Sequence, residues 1–451
     1  MGRAPTVVLW LLTRGVVLWL FFGREAWVTG DIAYFADSLA HLTERGLGAT
    51  LVEYPLPGVA LVALPWLLAE WLGHPDLYTE LVLALAMATD AAFTVLLHRS
   101  AARGRRDAVL LWLLAVPFLG ATTYARFDLV PGVLAGAALL LLVTHPRAAA
   151  VAGVIATGLK LWPALLLPAL SARSRERRQV LLVTALAGSG LAVAGLVLAG
   201  WARLVSPLTW QADRGLQIES VAATPAMLGW GLGPGGFTVA YSDYNAFEVT
   251  GPGVPVTLTV TSALAVLTAV GLGALWVRAW LAGGSLPPDA VAWLFLAAVS
   301  AFMVTSRVLS PQYLLWLLPM TAAALAVATT QRCRLRLRRW AVLLLVTTAV
   351  THLVFPVYYG HLTQHDPDSF GVVVLLAGRN VMLLWLAVSA ALEAWRWTAS
   401  HRGRPVTTPA PSGAGQTTRI SVPVPSRRGS PQRWPGERQR VRQPPRLRRH
   451  P

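Results

Sequence analysis

Apolar runs about as long as a bilayer is thick recur in this chain from residue 6 to residue 397. A helix needs roughly 20 such residues to cross the hydrocarbon core. In lipid only helices or closed barrels satisfy their backbone amides internally. The strict alternation of barrel strands is absent, so the expected class is an all-α polytopic membrane protein. Composition agrees: 55% of residues are hydrophobic and 13% are charged, against about 25% charged in soluble domains.

The formal net charge of +17 is unevenly spread. Beyond residue 400, 12 arginines stand against one acidic residue, Glu437, in a stretch rich in Pro, Ser, Gly and Gln. Residues 401–451 therefore read as a disordered basic tail, lying near anionic lipid on the cytoplasmic side, and residues 1–400 as the transmembrane domain. Membrane lipid is an expected partner and nucleic acid is not. The single cysteine, Cys333, allows no internal disulfide, and no zinc motif is present. No small-residue cleavage site follows residues 6–22, which are expected as the first membrane helix rather than a removed leader.

Arginine clusters at 99–106, 173–178 and 332–339 mark cytoplasmic loops. Threading the chain between them predicts ten crossings of the plasma membrane with both termini cytoplasmic. They fall at 6–22, 77–97, 108–124, 127–144, 179–200, 255–280, 290–305, 311–329, 338–357 and 375–397. Two further apolar segments, 55–73 and 148–171, fit the arginine positions if each is broken or re-entrant. Both contain prolines, which interrupt helices. Three stretches, 23–54, 201–254 and 358–369, are left to form the extracytoplasmic face.

The segment 148–171 contains "ATGLKLWPALL", and its Lys160 is the chain's one lysine. A charge at mid-membrane costs about 2.5–3.5 kcal/mol on insertion scales. A snorkelling lysine would sit at a helix end. Lys160, with Pro163 just after it, is expected at the apex of a hairpin, facing protein or a watery cavity. Arg126 in "TTYARFDLVPG", Arg214 in "WQADRGLQIES", Arg307 in "SRVLSPQYLLWLLP" and Arg379 in "LLAGRNVMLL" add four cations toward the outer face. Five cations on the side that usually lacks them suit an anion, and the guanidinium fork matches phosphate.

Acids lie near these cations. Asp31 closely follows the first helix, where a carboxylate can act as general base toward a hydroxyl acceptor; Asp37 reads as an ordinary loop or capping residue. Glu53, Tyr54, Asp128, Glu219, Gln312 and Tyr313 are candidate substrate contacts, as is Arg379. Asp128 alternatively caps the helix that it precedes. Asp90, inside "ALAMATDAAF", either pairs with a cavity arginine or ties two helices together. His352, His361 and His365 read as polar residues of an outer loop. Neither a metal nor a cofactor is expected, and GxGxxG, P-loop, HExxH and GxSxG motifs are missing in any usable context.

The order of "VEYPLPG", "YARFDLVPGVLAG", "GLKLWPALLLPAL", "RGLQIES" and "SPQYLLWLLP" resembles membrane glycosyltransferases of the GT-C fold, and most of all glycosyltransferase family 87. The resemblance spans roughly residues 5 to 397. Known members are similar to actinobacterial mannosyltransferases that use polyprenyl-phosphate-mannose. The resemblance implies a bundle of about 10–12 transmembrane or re-entrant helices whose outer loops form the active site. It also implies an inverting transfer of a sugar, mannose above all, to a glycan or glycolipid hydroxyl, with neither nucleotide sugar nor metal. Asp31 would be the base, and Lys160 with Arg126, Arg214 or Arg307 would hold the lipid phosphate. A flippase or transporter for lipid-linked sugars is the competing expectation, because it too uses broken helices and buried charges. It would more often show two similar halves, and no internal repeat is visible.

Overall fold

A computed structural model of the chain describes residues 2–101, 105–233, 235–282 and 286–400, all within one compact unit, Met1–Val406. The expected basic tail, 401–451, lies outside the described residues. Among those residues, fourteen helices have eight residues or more, numbered here in chain order: α1 Arg3–Phe22, α2 Gly30–Ala40, α3 Leu56–Trp71, α4 Tyr78–Ser100, α5 Arg106–Leu119, α6 Leu129–Leu141 and α7 Pro146–Leu159 form the first half. Then follow α8 Ser174–Ala212, α9 Thr224–Gly231, α10 Val254–Leu281, α11 Pro288–Thr305, α12 Leu314–Val327, α13 Gln331–His352 and α14 Ser369–Ala399. The described sheet is one antiparallel hairpin, β1 Thr238–Ser242 with β2 Ala246–Thr250.

Seven helical segments are long and apolar enough to cross a membrane: Arg3–Phe22, Pro75–Ser100, Arg175–Gln211, Val254–Leu281, Pro288–Thr305, Gln331–Val357 and Ser369–Ala399. Seven of the ten expected crossings fall in them. The other three, 108–124, 127–144 and 311–329, fall in shorter apolar helices: α5, α6 and α12 have 14, 13 and 14 residues. Fourteen residues rise about 21 Å, short of a hydrocarbon core about 30 Å thick. Most of their apolar residues are buried in protein. Every residue of α12 from Leu314 to Ala326 is buried, and an added Cβ at Gly132 of α6 would lie 2.1 Å from the Leu315 carbonyl oxygen. Other helices expose much more apolar surface, such as α10 with Val266, Leu267 and Val270 exposed.

The two segments expected to break behave differently. Residues 148–171 do break. α7 ends at Leu159, Lys160 is extended, and a 3₁₀ turn over Trp162–Leu166 leads into a short helix, Leu167–Leu170. The returning limb lies against α7, with Leu167 and Leu170 beside Gly153, so Lys160 is the apex of a hairpin. Residues 55–73 do not break: α3 is continuous through Pro65. The Tyr78 hydroxyl donates to the Val62 carbonyl in the turn before that proline, and Pro57 in the first turn gives up only a donor that no helix start uses. α8 bends instead, at Gly200, whose φ of 78° suits glycine.

The arginine clusters meet at one end of the bundle. Asp107 pairs with Arg334 and Arg338, and Glu393 with Arg336 and Arg396. Arg173 pairs with Glu176 and donates to the Leu286 carbonyl. Deeper in, Asp90 resolves its two expected roles: it ties helices. Its carboxylate accepts from Trp10, Arg14, Trp112 and Tyr124 at 2.7–3.1 Å, and both Arg14 and Asp90 are buried. Removing one partner of such a pair leaves a lone charge, at a cost of about 3–5 kcal/mol. Asp90→Asn should therefore lower the unfolding midpoint of the detergent-solubilised protein strongly. The double variant Arg14→Met/Asp90→Leu should recover part of the loss, since it removes the lone charge but leaves the Trp10, Trp112 and Tyr124 donors without their acceptor. An Asp90→Asn protein as stable as wild type would refute the tie.

Candidate active site

Away from the arginine clusters, the loops converge on Lys160. Its ammonium donates to Asp128 Oδ1 at 2.7 Å, and Trp316 Nε1 donates to the same oxygen at 2.6 Å. The rings of Tyr54, Tyr313 and Trp316 surround the ammonium with centroids 5.6–5.8 Å away, a distance at which aromatic faces attract a cation. Trp316 is itself stacked on Tyr313 and Trp162. Asp128 stands at the N-cap of α6 but makes no cap hydrogen bond; its carboxylate serves Lys160 and Trp316, so the capping alternative fails.

Asp31, in the first turn of α2, forms an ion pair with Arg126. Arg126 is the more buried of the two; burial pushes its pKa down to about 10, opposed by Asp128, which leaves it charged at neutral pH. Glu53 accepts from the Tyr34 hydroxyl at 2.9 Å. Burial holds the Glu53 carboxyl above its ordinary range despite that bond and the Arg203 and Arg214 charges.

Two cavities meet here. A polar chamber of about 110 Å³ is lined by Asp31, Glu53, Tyr54, Lys160, Arg214 and Gln312, among others. A longer groove of about 430 Å³ runs between α10, α11 and the Lys160 turn. Leu161, Leu165, Ala265, Leu272 and Phe302 line it, with Lys160 and Arg307 among them. Glu53, Lys160, Gln211 and Tyr313 line both. Arg307 donates to the Arg214 carbonyl and to Ser262 Oγ, and Arg214 donates to the Tyr244 carbonyl, so these two arginines are neighbours at the junction.

The other expected residues lie elsewhere. Arg379 is fully buried in α14, where it donates to the carbonyl and carboxylate of Glu219. Asn380 donates to the Ser220 carbonyl and Thr224 Oγ1. Together they fasten the 216–224 loop, and neither Arg379 nor Glu219 lines the two cavities. Arg126 borders them only through Asp31. His361, Asp366 and Asp368 offer ligand atoms within 4.8 Å of one another, but Asp366 is engaged by His361, Ser369 and the Asp368 amide at the start of α14. His352 bonds Glu25, whose other oxygen accepts the Ala121 amide.

Sequence reasoning did not find Arg203, which donates to the carbonyls of Leu47, Thr50, Leu51 and Tyr54 and so holds the loop that delivers Glu53. It also passed over Trp316 and Gln211. The one available signal was the density of tryptophan and tyrosine around "KLW" and "QYLLW". The chain matches no family model, no curated protein and no solved structure.

Burial pushes the Glu219 carboxyl up to about 7, against the pull of Arg379 and Arg126; an ordinary glutamate titrates near 4.3. The folded state therefore holds this proton more tightly than the unfolded chain. The stability it adds is full below about pH 4.3 and is lost as pH rises to about 7. The melting temperature of wild type should fall between pH 5 and pH 7.5, and Glu219→Gln should flatten that slope. An unchanged slope in the variant would assign the titration to another group.

Proposed function

We propose that this chain is a membrane glycosyltransferase of the GT-C type, moving a sugar from a polyprenyl-phosphate donor to a hydroxyl of a lipid or glycan acceptor at its extracytoplasmic face. The observation that carries the proposal is the meeting of an apolar groove with an acid-lined chamber at Lys160. A polyprenyl phosphate is an apolar chain ending in an anion. The groove offers apolar walls and ends at Lys160 and Arg307; the chamber beyond holds the carboxylates that a transfer needs.

In this reading the donor chain lies in the groove with its phosphate at Lys160, Arg307 and Arg214. The acceptor hydroxyl attacks the anomeric carbon from the chamber side while its proton passes to Asp31. The bond from that carbon to the phosphate oxygen breaks, and the electron pair leaves with the polyprenyl phosphate. Cations fixed beforehand stabilise that growing negative charge without reorganising. Asp31 must first exchange its Arg126 partner for the acceptor hydroxyl, since an adjacent cation weakens a carboxylate as a base. Glu53, at the junction, positions the sugar. One observation weighs against the flippase alternative. On the arginine side of Lys160 the bundle is closely packed, with Gly132 and Gly136 of α6 against the Leu315 and Pro319 carbonyls, whereas a flippase needs a route through to the other leaflet.

The test uses membranes carrying wild type, Asp31→Asn or Glu53→Gln, given radiolabelled polyprenyl-phosphate-mannose. Label should pass to a lipid or glycan acceptor in wild type. A positioned general base is worth about 10²–10⁴-fold, so Asp31→Asn should lose that much in kcat. Glu53→Gln should act mainly through KM. Equal rates in wild type and a folded Asp31→Asn would remove Asp31 as base. Donor flipping without transfer by wild type would favour the transporter.

A further inference from the structure

A second large cavity is remote from Lys160. It is a cleft of about 760 Å³ between α1 and α4, at the end of the bundle that carries the arginine clusters. Its walls follow helical spacing. Arg3, Val7 and Trp10 come from one face of α1, and Ala91, Val95, His98 and Arg99 from one face of α4. The two helices are tied where Asp90 accepts from Trp10 and Arg14. From that tie to the arginine end the cleft lies open between them, with Val7 and Val95 exposed along it.

Charge is distributed along the cleft. Its inner part is apolar, and its mouth carries Arg3, His98 and Arg99 with no acidic residue among the lining. Among the described residues neither Arg3 nor Arg99 has an ion-pair or hydrogen-bond partner. The mouth also combines the first turn of α1, whose N-cap is Gly2 without a side-chain cap, with the last turn of α4. Free amide donors at the start of a long helix add to the attraction for an anion.

We propose that this cleft binds one anionic phospholipid from the leaflet at the arginine end, with its phosphate between Arg3 and Arg99 and an acyl chain along Val7 and Val95 toward Trp10. The volume lies in the range of ligand sites, and basic pockets between membrane helices suit anionic head groups. The site stands independently of the sugar-transfer reading, since it shares no residue with the cavities at Lys160. It would fix the spacing of α1 and α4 beyond the point where Asp90 ties the two walls together.

Native mass spectrometry of the full chain in mild detergent, titrated with phosphatidylglycerol or phosphatidylcholine, tests this. Wild type should retain one phosphatidylglycerol in preference to phosphatidylcholine. Arg3→Gln/Arg99→Gln should weaken that retention about tenfold or more, at the usual worth of two basic contacts. Ala91→Phe, which fills the apolar part and leaves both charges, should weaken it as well. Arg147→Gln/Arg332→Gln removes the same charge elsewhere on this end and should leave retention unchanged. Equal retention of the two lipids by wild type, equal loss in the control variant, or no loss in Arg3→Gln/Arg99→Gln would each overturn the proposal. So would a dimer, abolished by Ala91→Phe, in place of bound lipid.

Discussion

An ammonium held inside an apolar bundle is the constraint around which this half of the molecule is arranged. Lys160 has exchanged most of its water for one carboxylate oxygen and three aromatic faces. Each of those partners imposes something on the backbone. Asp128 leaves the cap of α6 unmade in order to reach it. Trp316 places its indole on the same oxygen, which sets where α12 begins beneath the "SPQY" turn. α7 must stop at Leu159 and return, because a continuous helix would carry the lysine on toward the membrane surface. A buried ion pair is weak support for stability, since desolvation offsets most of its attraction. An apolar residue at 160 would pack with less cost, so the lysine is explained better by what it can bind than by what it holds together.

The same reasoning separates the five cations expected at the outer face. Arg379 is fully enclosed and satisfies a loop carbonyl, and Arg126 is sunk beside Asp31. Lys160, Arg214 and Arg307 border open space. Residue type alone treats the five alike; burial divides them into two that organise loops and three that can meet an anion. Glu219 and Glu53 divide similarly, one locked against α14 and the other at the junction of the two cavities.

How much of this was legible in the sequence depends on the range of each cause. Lys160 and the prolines near it sit within a few residues, so the hairpin and its apex could be read from "GLKLWPALLLP". Hydropathy could also find the long lipid-facing helices. It could not measure α5, α6 and α12, because a residue buried in protein and a residue facing lipid are equally apolar; only the neighbours distinguish them. Pairings across long separations were equally hidden. Asp90 with Arg14, Lys160 with Asp128 and Arg203 with the 47–54 carbonyls join segments 32 to 156 positions apart. The charge count announced that partners must exist, and only the fold selects them.

The two ends of the bundle use charge in opposite ways, and the difference bears on function. At the arginine end, outside the cleft between α1 and α4, acids and bases neutralise each other at close range, as Asp107 does for Arg334 and Arg338. Around Lys160 the charges are separated by aromatic rings and bordered by cavities, with carboxylates on one side and an apolar groove on the other. In such a partly dry setting a charge acts at longer range than in water, which is costly unless a ligand arrives to use it.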